Sequence, residues 1–180
     1  MLKIRQLQKE KQKSQEGSGH VVNKASPAEI RIGKDLEELV LPPTIKVEHS
    51  PNDIKNLKIT IRPDEGYYTG GVFKFECSIN ENYPMEAPKM KCLNKIYHPN
   101  IDVEGNVCLN ILREDWTPVI SLQTVFFGLQ FLFLEPNETD PLNKEAAIEL
   151  NKDRKKFARN VMVSMRGGYV NGEYYDNVYS

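Results

Sequence analysis

Few side chains in this 180-residue chain could carry covalent or acid–base chemistry: three cysteines, three histidines and the carboxylates near them. A thiol can be a nucleophile, a metal ligand or a small buried hydrophobe. Cys77 and Cys92 fall on the apolar faces of alternating segments, where burial alone accounts for them. Cys108 differs. It follows Gly105-Asn106-Val107 in a stretch without hydrophobic period, between His98-Pro99-Asn100 and the single Trp116. On residue types alone, a structural cysteine and a nucleophile both remain open at that position. A metal site built on His98 and Cys108 needs two further ligands, and none is evident. A papain-like pair needs a histidine downstream of the cysteine, whereas no histidine follows His98.

The elements that position these residues are legible from patterning. Ser26-Pro27-Ala28-Glu29 is a capping box with proline at the first helical position. Ile32, Leu36 and Leu39 then form one predicted stripe, and Pro42-Pro43 closes the helix. Period-two alternation predicts four strands: Thr44–Val47, the run of Leu57, Ile59 and Ile61, the run Phe73 to Ile79, and the run around Met90 and Cys92. Pro- and Gly-bearing turns separate them, so an antiparallel meander is expected. Residues 94–118 keep neither period, and irregular segments of that length in compact domains are usually functional or disordered. The scattered Ile101, Val107, Leu109, Ile111 and Trp116 favour packing. Ser121 caps a predicted helix to Leu134 that is apolar on most faces and is expected to be buried. Two further helices are predicted over Asn143–Leu150 and Asp153–Met165, with Gly167-Gly168 ending the second. The expected fold class is α+β.

Composition narrows the classes. A 39% hydrophobic content is enough for a core at this length. A net charge of −1 excludes a whole-chain polyanion binder. That average hides an asymmetry: Lys3, Arg5, Lys9, Lys11 and Lys13 against Glu10 give residues 1–13 a charge of +4, leaving −5 for the rest. The expected organisation is a basic arm (1–13) with apolar anchors Met1, Leu2, Ile4 and Leu7, a flexible linker (14–25), a core domain (26–168) and a tyrosine-rich tail (169–180). The odd, low cysteine count fits cytosol or nucleus, no leader pattern is seen at the N-terminus, and no membrane association or nucleic-acid binding is expected.

The segment around Cys108 resembles the ubiquitin-conjugating enzyme family. The likeness spans residues 26–166 and rests on Tyr83-Pro84, Pro88, His98-Pro99-Asn100, Gly105-Asn106-Val107-Cys108-Leu109, Trp116-Thr117-Pro118, Glu135-Pro136-Asn137 and Asp140-Pro141-Leu142, in that order. The runs Cys108–Trp116, Pro141–Ala147, Pro63–Gly66 and Met165–Gly168 are similar to the neddylation branch, which conjugates the Rub-type ubiquitin-like modifier. Ala87 and Glu138 stand where the family often has proline.

The resemblance implies the family's fold: an N-terminal helix, a four-stranded antiparallel sheet, a buried central helix and two C-terminal helices. It implies a thioester carrier in which Cys108 is the nucleophile, Asn100 stabilises the oxyanion or braces its loop, and His98 orients the site. Asp140 either positions the incoming lysine or caps the turn before Pro141. Met85, Pro118 and Val119 resemble a RING-type ligase surface. Arg31 and Lys34 look like part of the surface for the heterodimeric activating enzyme, against the alternative of a solvated helix face. The arm Met1–Lys13 is similar to an extension that docks on the activating enzyme and on a cullin-defective-type co-ligase. Cullins are the implied substrates. No cofactor and no metal are expected, since ATP is consumed by the activating enzyme. The alternatives are a carrier of ubiquitin itself, or a non-catalytic variant of the fold acting as a binding module.

Overall fold

The structure, a computed structural model, describes residues 25–179. The arm with Met1, Leu2, Ile4 and Leu7 lies outside the described residues, as does the linker apart from Ala25.

Helix α1 (Pro27–Glu37) opens on the predicted capping box: Glu29 N donates to Ser26 Oγ at 3.2 Å and Ser26 N to Glu29 Oε2 at 2.8 Å. It ends before the prolines, with Glu38 as C-cap. Its fully buried face is Ala28, Ile32 and Asp35, while Leu36 and Leu39 are only half buried, so the most deeply placed stripe ends in a carboxylate rather than a leucine. Donors from three elements meet that carboxylate, which is the condition for burying it.

Strands β1 (Ile45–Ser50), β2 (Asp53–Ile61), β3 (Phe73–Ser78) and β4 (Lys89–Cys92) form the expected antiparallel meander in sequence order. The register aligns apolar side chains in rows across the inner face, Ile45–Ile61–Phe73 and Val47–Ile59–Phe75–Cys92. The outer face carries Glu48–Lys58–Glu76–Lys91 in one row, opposite charges on successive strands.

Helix α2 (Leu122–Leu134) starts at Ser121, whose hydroxyl accepts from Thr124 N. It packs on the inner face, with Phe133 stacked on Phe73 at 4.3 Å between ring centroids. It is not buried all round: Phe127 and Phe131 are exposed. Helices α3 (Lys144–Lys152) and α4 (Arg154–Met165) are capped by Asn143 and Asp153. Gly167 then adopts φ +76°, the left-handed turn that lets the chain reverse.

The expected boundary at residue 168 does not divide the described structure. Residues 169–174 form the hairpin β5 (Tyr169–Val170) and β6 (Glu173–Tyr174), and Val170, Tyr175 and Val178 are buried in the main core. Lys95 N donates to Asp176 Oδ2 and Asp176 N to Lys95 O, so the tail clamps the start of the segment that leads to His98.

Candidate active site

Residues 93–121 contain one 3₁₀ turn (Asn110–Leu112) and otherwise no repeating structure, so individual bonds hold them. Asp102 makes a tight loop, accepting from Asn106 N at 2.8 Å and Asn106 Nδ2 at 2.7 Å. Gly105, at φ +83°, lets this loop touch the sheet edge: Cys92 N donates to its carbonyl at 2.8 Å, and a Cβ there would come within 2.1 Å of Cys92 O. Only glycine tolerates both the dihedral and the approach. The chain then returns, and Cys108 N donates to Asn100 O at 2.8 Å. Two residues separated in sequence are thereby locked side by side.

His98 is fully buried between the stacked ring of Tyr68, at 5.0 Å, and the edge of Phe133. Asn100 N donates to Nδ1 at 2.9 Å, so Nδ1 is the acceptor and Nε2 carries the proton, donated to Leu132 O at 2.8 Å. Burial drives its pKa down to about 4. It is a neutral ring holding the turn to α2, with both nitrogens engaged.

The Asn100 side chain is equally committed. Its Nδ2 donates to Asn137 O at 2.9 Å and its Oδ1 accepts from Asn137 N at 3.0 Å. A carboxamide has two N–H donors, and one of them is accounted for by Asn137. Leu142 N and Asn143 N both donate to Pro99 O, so the loop between α2 and α3 is tied to the His98–Asn100 turn at both ends.

That loop brings Asp140 to the thiol. Asp140 has φ +51°, is exposed, and its carbonyl accepts from Cys108 Sγ at 3.5 Å. The cap of α3 is Asn143, which separates Asp140 from that duty. Cys108, 7% exposed, lines a groove of about 160 Å³ with Asn100, Leu109, Phe131, Glu135 and Thr139. Burial raises its pKa above the usual thiol value, Arg113 lowers it, and Asp140 and Glu114 raise it. Cys77 and Cys92 are different: burial pushes both up to about 12.

The structure therefore brings together four residues singled out from the sequence, Cys108, Asn100, His98 and Asp140. Asn137, Phe131 and Glu135 join them without having been assigned a role. Among the described residues, no group of three or more His, Cys, Asp or Glu side chains could hold a metal ion, and no helix is long and apolar enough to cross a membrane.

The docking residues separate. Met85, Pro118 and Val119 are all exposed, and Trp116 Nε1 donates to Pro84 O at 2.9 Å, joining their two loops. Lys34 is also exposed, with one long contact of 3.9 Å to Glu38. Arg31 departs from the expectation of an outward-facing charge. Its guanidinium binds Asp35, Pro118 O and Ile120 O and lies over the Tyr83 ring, so it is spent inside the domain. The planar fork of arginine suits such a junction of several acceptors.

A sequence model described as "Ubiquitin-conjugating enzyme" matches residues 31–165. The NEDD8-conjugating enzyme UBC12 of Yarrowia lipolytica is 56% identical over 99% of this chain and 98% of its own length. The protein of the same description from Schizosaccharomyces pombe is also 56% identical, over 99% of both chains. The solved structure of S. cerevisiae Ubc12 superposes with a TM-score of 0.85 at 51% identity, covering 100% of this chain and 98% of that one.

Proposed function

The chain belongs to the ubiquitin-conjugating enzyme family, and from that premise we propose that it conjugates the modifier NEDD8. The observation that carries this reading is the near-complete match, at 56% identity, to relatives described as NEDD8-conjugating enzymes. The geometry around Cys108 supports the chemistry.

In the proposed cycle, the Cys108 thiol attacks the modifier's thioester on the activating enzyme. A new S–acyl bond forms, and the activating enzyme's sulfur leaves, taking up the proton that the Cys108 thiol gives up. A substrate lysine, as the neutral amine, then attacks the acyl carbon. The tetrahedral oxyanion takes a hydrogen bond from the Asn100 N–H that Asn137 does not use. Collapse breaks the acyl C–S bond to leave the isopeptide, and the Cys108 thiolate departs as the nitrogen gives up its proton. The raised thiol pKa suits a carrier, because a more basic sulfur is a poorer leaving group and the thioester waits for its acceptor. Asp140, exposed in the loop whose carbonyl meets the thiol, orients the incoming lysine, which attacks once its ammonium has lost a proton to solvent. His98 holds the turn on which Asn100 stands.

The enzyme needs no cofactor of its own; ATP is consumed by the heterodimeric activating enzyme. Lys34, together with the basic arm that carries Met1, Leu2, Ile4 and Leu7, serves docking to that enzyme, and the arm serves docking to a cullin-defective-type co-ligase. Met85, Pro118 and Val119 receive a RING-type ligase, with cullin lysines as acceptors, in cytoplasm and nucleus.

A charging assay tests the proposal. The chain is mixed with ATP and either the NEDD8 or the ubiquitin activating system, then run on a non-reducing gel. The expected result is a reductant-sensitive adduct with NEDD8 alone. Efficient charging by ubiquitin alone would transfer the reading to a ubiquitin carrier, and no adduct with either would leave a binding module. Deleting residues 1–13 is expected to weaken charging while the domain stays folded.

A further inference from the structure

Two exposed apolar side chains, Met85 at 72% and Val119 at 87% exposure, stand on loops far apart in sequence. Neither loop has a ladder of its own to set its shape. Between them and the core lies Asp35, whose side chain is 4% exposed. A carboxylate so deep requires donors on its lone pairs. Three arrive: Arg31 Nε at 2.9 Å, the Tyr83 hydroxyl, and Leu122 N at 3.3 Å.

Each donor leads to one of the loops. Tyr83 precedes Pro84, whose carbonyl accepts from Trp116 Nε1, and Met85 follows. Arg31 points its remaining nitrogens at Pro118 O, 2.7 Å away, and Ile120 O, 3.0 Å away. Those are the two carbonyls on either side of Val119. With both turned inward, the intervening residue is left facing out. Leu122 N–H begins α2, directly after that loop. The guanidinium also lies 5.5 Å from the Tyr83 ring centroid, closing the circuit between the two loops.

We infer that Asp35 is a positioning residue that sets the Met85 and Val119 loops together, so that one buried carboxylate fixes the relative placement of both halves of the ligase surface. The functional part of this inference rests on the reading of Met85, Pro118 and Val119 as that surface. Asp35 makes no hydrogen bond to Met85, Val119 or Cys108 among the described residues, so its effect on transfer travels through loop geometry. The carboxylate is required because an asparagine of the same size replaces one acceptor oxygen with a donor, which would face other donors.

The test uses the full chain with methyl-labelled methionine and valine, together with single-turnover discharge of the isolated Cys108 thioester to free lysine. Discharge is measured without and with a RING domain that stimulates the unsubstituted chain. Met162 and Val163, exposed on α4, are the internal controls. Asp35→Asn is expected to shift the Met85 and Val119 methyl signals together, leave Met162 and Val163 in place, and keep unstimulated discharge within about 2-fold. The stimulated rate should fall on the order of 10-fold, as loss of a buried charge-assisted bond implies. Tyr83→Phe should move Met85 more than Val119, and Arg31→Met the reverse; these two variants carry the test if Asp35→Asn does not fold. Response of only one loop, of neither, or of all four residues equally overturns the inference, as does an unchanged stimulated rate. Met85→Ala and Val119→Ala decide the underlying reading separately. If they leave stimulation intact, the ligase surface is elsewhere, while the methyl signals still decide whether Asp35 positions the loops.

Discussion

The meander and the irregular segment 93–121 each bury cysteine, and exposure alone does not tell their thiols apart: Cys92 is 4% exposed and Cys108 is 7% exposed. Their surroundings do. Cys77 sits among the inner-face rows of the sheet, and Cys92 ends the last strand with its sulfur donating to Asn94 O at 3.2 Å. Both are pushed up to about 12 by burial, which leaves them inert at neutral pH. Cys108 faces a groove, with Asp140, Glu114 and Arg113 acting on it. In a sheet the pleat sends a side chain either into the core or out into water. An irregular segment held by single bonds can place a thiol at the border of the two, where a nucleophile must be.

The comparison breaks most visibly at the sulfurs. Cys108→Ala is expected to abolish the charged adduct completely, whereas Cys77→Ala and Cys92→Ala keep it and lower stability by about 1 kcal/mol, as loss of a small buried group implies. Cys108→Ser should replace the thioester with an ester that resists thiols on the same gel. An adduct on Cys108→Ala would falsify the nucleophile assignment.

The next largest effect belongs to Asn100. Asn100→Ala is expected to slow lysine discharge by about 100-fold, the range for one oxyanion donor, with charging largely retained. Equal loss of both steps in single-turnover assays would instead assign Asn100 to holding the Asn137 loop alone.

Gly105 joins the two regions. Gly105→Ala drives a Cβ toward Cys92 O and imposes a left-handed dihedral on a residue with a side chain. A loss of about 3 kcal/mol is expected, equivalent to a melting temperature lower by about 10 °C at this chain length. A melting curve that does not move would show that the loop can leave the sheet edge without cost.

The smallest effect is electrostatic. Since burial and the two carboxylates hold the Cys108 thiol up, its thiolate fraction at pH 7 lies below that of free cysteine, and iodoacetamide should alkylate it more slowly. The pH–rate curve should rise later than that of a cysteine peptide. Asp140→Asn removes a raising charge and should speed alkylation a few-fold at pH 7, while Arg113→Ala should slow it. Opposite responses would reverse the assigned signs.

Much of the frame was readable because its causes are local. The capping box at Ser26 and Glu29 spans one turn, and the alternation of Leu57, Ile59 and Ile61 lies within one strand. The site residues were readable as types and order: Cys108 stood out because no period claimed it. Their partners were not. Asn137 meets Asn100 across 37 positions, Tyr83 meets Asp35 across 48, and Arg31 meets Pro118 across 87. Arg31 looked like an exposed charge on a helix face, because a helical pattern reports which face a residue occupies and not which loop folds over it. The tyrosine-rich tail looked separable for the same reason. Tyr175 is buried against Tyr97, a pairing across the domain that no local period announces.

By itself, the order of residues determined the elements and carried the family likeness that singles out Cys108, since capping, alternation and turn formation act over a few residues. The tertiary structure decided which amide faces which carbonyl: that the Asn100 side chain pairs with the Asn137 backbone, that His98 is a neutral brace, and that Asp35 gathers donors from two loops. Those outcomes depend on segments meeting across tens of residues, and burial, which makes each unpaired donor or acceptor costly, selects the meetings that satisfy them.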